Sequence, residues 1–351
     1  MPISRENSDS SFKAPTDYAI VVGIDHYQPE IQPLQGCVND ARLFHAWLVS
    51  PDGGGLDPAR ATLICSSAGS LKPVRDEIED EFLRFYKHKI DTGQMVGRRL
   101  YLFFSGHGVT PPTDENDCGL VLANSASPGI LRALPGNLAL RRLQWAGLFE
   151  QIVLLMDCCR EVTGDIDAHL GLPDKKDPTL KGATYLRGFA AQWHAQAAER
   201  EMDHPLDDRA PRLWHGVFTH ALLKALKSGM DEHGEINSES LKKFIRRYVH
   251  DLLPADDNRR PEILFDDERP IVFGSRTPIE VSLQLSKPEE SFEVLDGAGL
   301  HPVSAPVTKV GDLTYKIQLR PGRYLIQTPA GGGAGRFQIF DVLAEPKNVV
   351  L

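Results

Sequence analysis

Long apolar runs are missing from this 351-residue chain: no stretch of 18 or more apolar residues occurs, so no membrane-spanning helix is expected. The start, Met1-Pro-Ile-Ser-Arg-Glu-Asn-Ser-Asp-Ser-Ser11, lacks the apolar core of a secretory signal. Cysteine is scarce and odd in number, with five residues at 37, 65, 118, 158 and 159, and none of the spacings is that of a metal ligand set. That excludes a disulfide framework and fits a reducing compartment, so the cytoplasm is the expected location. Positive charge is in deficit too. The 39 Lys and Arg residues against 48 Asp and Glu leave a net charge of −9, which argues against a nucleic-acid backbone as the main partner, because that task needs a basic face. Neither an internal repeat nor a low-complexity tract is found. The remainder, 41% hydrophobic and 25% charged, has the balance of a globular protein able to bury a large domain and a smaller one.

Two short apolar runs carry the most information. One is Arg99-Arg-Leu-Tyr-Leu-Phe-Phe-Ser-Gly-His107-Gly108, the other Gln151-Ile-Val-Leu-Leu-Met-Asp-Cys-Cys159-Arg160. Four to six consecutive apolar residues bounded by turn residues read as strands covered on both faces, as in a parallel sheet between helices. Open sheets of that kind present reactive groups beyond the carboxyl ends of their strands. An imidazole and a thiol delivered to one such edge are a candidate base and nucleophile.

Elsewhere strands alternate with helices. Tyr18–Ile24 and Ala61–Cys65 read as strands. Asn39-Asp40 is placed to cap a helix whose apolar face is Ala41, Phe44, Trp47 and Leu48. Val74, Ile78, Phe82 and Phe85 mark a charged helix over about 72–89, and another helix is expected near 137–148. Cys118–Ala123 reads as a hairpin partner for the His107 strand. Residues 160–187, rich in Gly, Asp, Pro and Lys, read as a long mobile loop. Gly188–Trp193 is a further strand candidate. Two amphipathic helices follow, one with Phe218, Ala221, Leu222 and Ala225, the other with Leu241, Phe244, Ile245 and Tyr248 after a cap at Asn237 or Ser238. The acidic run 255–268 reads as a solvated loop, and Pro270–Phe273 as a last strand. The fold class is therefore α/β over 17–275, a mainly parallel, helix-covered sheet. Residues 1–16 are polar and expected to be disordered. From about 276 the pattern switches to period two, in Ile279–Leu285, Tyr315–Leu319, Arg323–Gln327 and Arg336–Phe340. That predicts a small antiparallel β-sandwich over 276–351.

At this point the chain resembles a known family, the caspase-like cysteine peptidases (peptidase family C14), and within them the metacaspases and bacterial caspase homologues. The matching segments, in order, are Ala19-Ile-Val-Val-Gly-Ile-Asp25, Leu34-Gln-Gly-Cys-Val-Asn-Asp-Ala41, Phe104-Ser-Gly-His-Gly108 and Leu155-Met-Asp-Cys-Cys159, with Phe218-Thr-His-Ala-Leu-Leu223 after them. A histidine about 50 residues upstream of the cysteine is itself a caspase feature. The resemblance implies that Cys159 attacks a peptide carbonyl, that His107 manages protons, and that the amides of Gly108 and Cys159 form the oxyanion hole. Cys158 is then a small buried packing residue, since adjacent strand residues face opposite ways. In the metacaspase branch the residues matching Asp40 and Asp157 line an acidic S1 pocket, which implies cleavage after Arg and, second, Lys. Animal caspases, which take Asp at P1, use arginines there.

One departure is that Arg160-Glu161-Val162 stands where the family has a small-residue turn, which puts two charges beside the cleft. Lys175, Lys176, Lys181 and Arg187 in the 160–187 loop are candidate processing sites, cut by the enzyme itself or by an upstream protease, as in a zymogen. Asp165, Asp167 and Asp174 are candidate Ca²⁺ ligands, although their spacing matches no calcium loop; no other cofactor or metal is implied. Regulated proteolysis or antiviral defence in a bacterium is the family-level expectation for such homologues. Two alternatives stay open. One is a catalytically silent caspase fold serving as an interaction scaffold; the other is a small-molecule cysteine hydrolase on a flavodoxin-like sheet.

Overall fold

The structure, a computed structural model, describes residues 16–350 except 111–116, 127–130, 161–165, 175, 177–181, 193–194, 208, 232–233, 255–256, 258, 276–278, 288–290, 297–301, 304, 320–321, 329–336 and 343–346. The expected disorder of 1–16 thus falls almost wholly outside the described residues. The chain divides into two compact units, Met1–Leu226 with Asn237–Phe273, and Lys227–Ile236 with Gly274–Leu351.

The first unit is built on strands β1 (Asp17–Gly23), β2 (Ala61–Cys65), β3 (Gly97–Ser105), β4 (Gly108–Val109), β5 (Gly119–Val121), β6 (Leu131–Pro135), β7 (Phe149–Asp157), β8 (Ile166–Asp167), β9 (Thr184–Phe189), β10 (Glu199–Met202), β11 (Leu213–Gly216), β12 (Glu235–Asn237, shared with the second unit), β13 (Glu262–Phe265) and β14 (Val272–Ser275). Helices α1 (Cys37–Val49), α2 (Arg75–Thr92), α3 (Gly136–Ala146), α4 (Val217–Ser228) and α5 (Ser238–Leu252) alternate with them. The central sheet runs β13-β9-β7-β3-β1-β2. Its five neighbours from β9 to β2 are parallel, and only β13 is antiparallel.

Side-chain alternation explains the layers. Ile20, Val22, Leu102, Phe104, Leu154 and Met156 pack with Ile78, Phe82 and Phe85 of α2 and with Ala139, Leu140 and Leu143 of α3 in one buried cluster. The intervening residues face the opposite way, and there Phe103 stacks on Phe44 of α1 at 4.7 Å between ring centroids. A strand buried on both faces has no polar alternation, which is why β3 and β7 stand out as apolar runs.

Four expectations need correction. Helix α1 starts at Cys37, two residues before the expected cap, and Asn39 caps nothing. Its first amides are satisfied from across the fold, because Asp25 accepts from Cys37 N at 2.8 Å and from Val38 N at 3.3 Å. Helix α2 begins at Arg75, after Pro73. The strand expected at 188–193 lies at 184–189, where Thr, Arg and Gly interrupt the apolar pattern. Inside the acidic run 255–268, Glu262–Phe265 forms the edge strand β13, whose polar positions suit an edge. By contrast the α5 cap is Asn237, whose side chain accepts from Glu239 N and Ser240 N.

The second unit carries two sheets, β17-β18-β15-β21 and β16-β19-β20, from β15 (Ile279–Gln284), β16 (Glu293–Asp296), β17 (Val307–Lys309), β18 (Thr314–Leu319), β19 (Gly322–Gln327), β20 (Phe337–Val342) and β21 (Lys347–Val350). Both sheets supply its core, with Val281, Leu283, Ile317, Ile326 and Phe340 among the buried residues. It is a sandwich, antiparallel except for the parallel β15–β21 pair.

Removing the cross-fold cap tests this account. Asp25→Ala is expected to destabilise the protein by about 1–2 kcal/mol, the usual worth of a helix cap; an unchanged urea midpoint would contradict it.

Candidate active site

Parallel pairing of β3 with β7 sets Ser105 opposite Asp157. His107 and Cys159 each follow by two residues, so both emerge from the same edge of adjacent strands, the carboxyl edge at which open parallel sheets carry their sites. Gly108 opens β4 and sits opposite Leu120 of β5. Val121 N–H donates to the His107 carbonyl at 2.8 Å, which makes Gly108–Leu120 a non-hydrogen-bonded pair and leaves the Gly108 amide unused by the ladder. A side chain at Gly108 would lie 2.9 Å from Cys159 N and would collide with the Cys159 carbonyl oxygen. The two backbones abut, and only glycine permits it.

His107 is held at three points. Its backbone N–H donates to the Tyr27 hydroxyl at 2.8 Å, and the Tyr27 ring lies 5.0 Å from the imidazole. His107 Nε2 bonds the Gln32 carbonyl at 2.7 Å. A carbonyl only accepts, so Nε2 carries a proton. Tyr27 and Gln32 are absent from the sequence reading, because a backbone carbonyl and a phenol give no residue-level signal.

Cys159 is half-buried, and its sulfur accepts from Ala197 N at 3.3 Å. Cys158 is wholly buried with its thiol toward the Phe104 carbonyl, 3.6 Å away. Burial first, and the nearby Cys118 second, push the Cys158 thiol well above its ordinary pKa. Cys158 therefore stays an unreactive packing group.

Beside these residues lies a buried acidic pair. Asp40 is 0% exposed and Asp157 5%. Asp40 accepts from His215 Nδ1 at 2.9 Å and from Gly216 N at 2.8 Å. Asp157 accepts from Thr219 N at 2.9 Å and Thr219 Oγ1 at 2.7 Å. Burial raises Asp157 to about 6, and burial together with Asp157 raises Asp40 well above the carboxylate range. His215 is pushed down to about 4 by burial and by His220, so its contact with Asp40 is a hydrogen bond from a neutral ring and not an ion pair.

Glu199, which the sequence reading missed, raises both acids further. It reaches the site because the β10–β11 hairpin pairs it with Gly216, and its carboxylate accepts from the Gln35 and Gly36 amides. Asp25, Cys37 and Glu199 also stand within 4.8 Å of one another. Their carboxylate oxygens are engaged by amides at the start of α1, and burial holds the Cys37 thiol protonated. This grouping has the chemistry of a helix cap.

Several expected roles change. The Arg160 side chain does not line the cleft: it is 2% exposed, ion-paired with Glu262 at 2.5 Å and placed 4.7 Å over the Phe189 ring. Its neighbour Glu161 lies outside the described residues. Arg187 is not in a mobile loop and is withdrawn as a processing site. It belongs to β9, between β7 and β13, and bonds Asn137 Oδ1 at 3.2 Å. Lys176 is exposed, whereas Lys175 and Lys181 lie outside the described residues. Of the candidate calcium ligands, Asp167 pairs with Arg75 at 3.2 Å and Asp174 with Arg142 at 3.6 Å, while Asp165 lies outside the described residues.

A helix-covered parallel sheet with a thiol, an imidazole and a glycine amide at its carboxyl edge is an arrangement suited to the cysteine-nucleophile class of hydrolases. Comparison with known proteins narrows the class. The model of the caspase domain family (peptidase C14) matches residues 16–265, and the chain belongs to that family of cysteine peptidases. A probable protease from a Desulfuromonadales bacterium is 25% identical over 330 residues, covering 85% of this chain. This chain spans only 37% of that relative's length. Among solved structures, caspase-1 from Spodoptera frugiperda is 14% identical with a TM-score of 0.45, over 78% of this chain and 96% of that one. Pro-sf-caspase-1 is 13% identical with a TM-score of 0.43, over 79% and 97%. Among the described residues no helix is long and apolar enough to cross a membrane.

Thiol reactivity should follow this geometry. In a brief iodoacetamide exposure of the folded protein, Cys159 should be modified first and Cys65, also half-buried, second, with Cys37, Cys118 and Cys158 protected. Peptide mapping in which Cys158 reacts before Cys159 would refute the arrangement.

Proposed function

We propose that this protein is a cysteine endopeptidase that cleaves protein substrates after arginine and, less readily, lysine. The observation that carries the reading is the buried pair Asp40 and Asp157, the latter two residues before Cys159. Both are raised by burial and by acidic neighbours, and the principal influences on them include no lysine or arginine. Buried carboxylates crowded in this way are costly unless a cation joins them. An arginine side chain entering beside them supplies that charge through a planar fork matched to carboxylates.

In the proposed chemistry the Cys159 sulfur, as thiolate, bonds to the scissile carbonyl carbon. The oxyanion that forms is met by the Gly108 and Cys159 amides. Collapse breaks the C–N bond while protonated His107 gives its proton to the leaving amine. Water then attacks the thioester, releasing the acid and restoring the thiol. The Gln32 carbonyl keeps the ring oriented throughout. Activation by a cut in the segment before β9 remains part of this reading, with Lys176 the exposed candidate among the described residues.

A fluorogenic peptide with Arg at P1 tests it. Cys159→Ala should abolish turnover. Asp157→Asn and Asp40→Asn should each lower kcat/KM by about 30-fold or more, chiefly through KM, as expected for removing one partner of a buried charged contact. Asp157 must be ionised to attract the cation. KM should therefore be lowest above pH 6 and rise as the pH falls through about 6. A KM that is flat from pH 5 to 8, or equal turnover of P1 Asp and P1 Arg peptides, would eliminate the assignment.

A further inference from the structure

We propose that the junction of β11 with α4 is the specificity-setting element, with His215 and Thr219 as positioning residues that grip Asp40 and Asp157 and fix the separation of the two carboxylates. This rests on the acidic-pocket reading above and extends it to residues that touch no substrate. Four donors from five consecutive residues carry the argument: His215 Nδ1 at 2.9 Å and Gly216 N at 2.8 Å on Asp40, Thr219 N at 2.9 Å and Thr219 Oγ1 at 2.7 Å on Asp157. Asp40 comes from α1 and Asp157 from the end of β7, so this one short turn ties together acids that neither element alone could align. Gly216 is wedged between them: a Cβ there would collide with the Asp157 carboxylate.

The histidine shows the cost of the arrangement. His215 is fully buried, and its Nε2 makes no hydrogen bond among the described residues. An unsatisfied buried nitrogen is unfavourable, and each such case calls for a compensating role. Here the ring is committed to Asp40: the proton sits on Nδ1, and Nε2 keeps a bare lone pair. An ordinary helix cap would need one acceptor at the α4 amino terminus, which Asp157 provides through Thr219. It would not need a second buried acid, held by the residues just ahead of the helix, that repels the first. The grip opposes both burial and repulsion, since donors directed at a carboxylate favour its charged form. Among the described residues the titratable groups facing Asp157 are Asp40 from α1, Glu199 from β10 and the adjacent Cys158 thiol, none of them a cation, so the Thr219 donors are its main counterweight.

The test compares Thr219→Val and His215→Phe with two conservative controls. Thr219→Ser keeps both bonds, and His215→Asn keeps a donor near Nδ1. Three readouts are taken: KM and kcat on an Arg-P1 peptide, the pH dependence of KM, and the rate of Cys159 alkylation. Thr219→Val and His215→Phe should raise KM about tenfold, the worth of one charge-assisted hydrogen bond. Thr219→Val should also move the rise in KM to higher pH by roughly one unit. Alkylation should stay at the wild-type rate, and both controls should restore most of the affinity. Should Thr219→Val lose its fold by circular dichroism, Thr219→Ala, which introduces no clash, carries the same expectation. Folded variants with wild-type KM and wild-type pH dependence would overturn the inference alone. A wild type that alkylates at Cys159 but cleaves no Arg-P1 peptide would overturn the acidic-pocket reading and this inference together.

Discussion

The register between β3 and β7 is the constraint from which the rest follows. Because Ser105 pairs with Asp157, the next residues of both strands leave the sheet at one level, bringing Gly108 against the Cys159 peptide. A slip of β7 by one residue would turn Leu154 and Met156 away from α2 and α3 and put side chains of other shapes in their place, spoiling the fit on both buried faces. The hydrophobic core therefore enforces the register, and the register sets the geometry of the edge. The placement of His107 and Cys159 at one edge is a by-product of burying two apolar strands correctly.

Electrostatics at that edge is arranged in the opposite spirit. The sheet interior satisfies itself, whereas Asp40 and Asp157 converge beside Glu199, where burial and acidic neighbours disfavour the charge of the two aspartates. Amides, one neutral imidazole and one hydroxyl hold them in place without neutralising them. Arg160 contrasts with this: equally buried, it has its own carboxylate in Glu262 and an aromatic face in Phe189. Arg160 is paired with an opposite charge, whereas among the described residues the principal influences on Asp40 and Asp157 include no lysine or arginine.

Much of the fold was legible along the chain. Runs such as Leu100–Phe104 and Ile152–Met156 announced a two-sided sheet, and the period-two segments after 276 announced the sandwich, because hydrophobic periodicity is local. The four ordered motifs likewise pointed to the family. Legibility failed where a residue's partner is remote. Asp25 caps α1 from 12 positions upstream, so Asn39 looked like the cap. Arg187 looked like a loop cation, because Thr184–Phe189 mixes polar and apolar residues. Strand β13 hid inside an acidic run, because an edge strand need not be apolar. The Arg160 side chain was expected at the cleft, and only the positions of Phe189 and Glu262 show where it goes.

By itself the sequence determined which residues form the two central strands, that a histidine and a cysteine follow them, and that a separate β unit comes after, since these depend on patterns a few residues long. Only the tertiary structure decided what those side chains meet. It put the Gln32 carbonyl on His107, Glu199 beside two acids from other elements, and His215 and Thr219 behind them. Such contacts join residues as many as 176 positions apart, as Gly216 and Asp40 do, and packing creates them only after every element has taken its place.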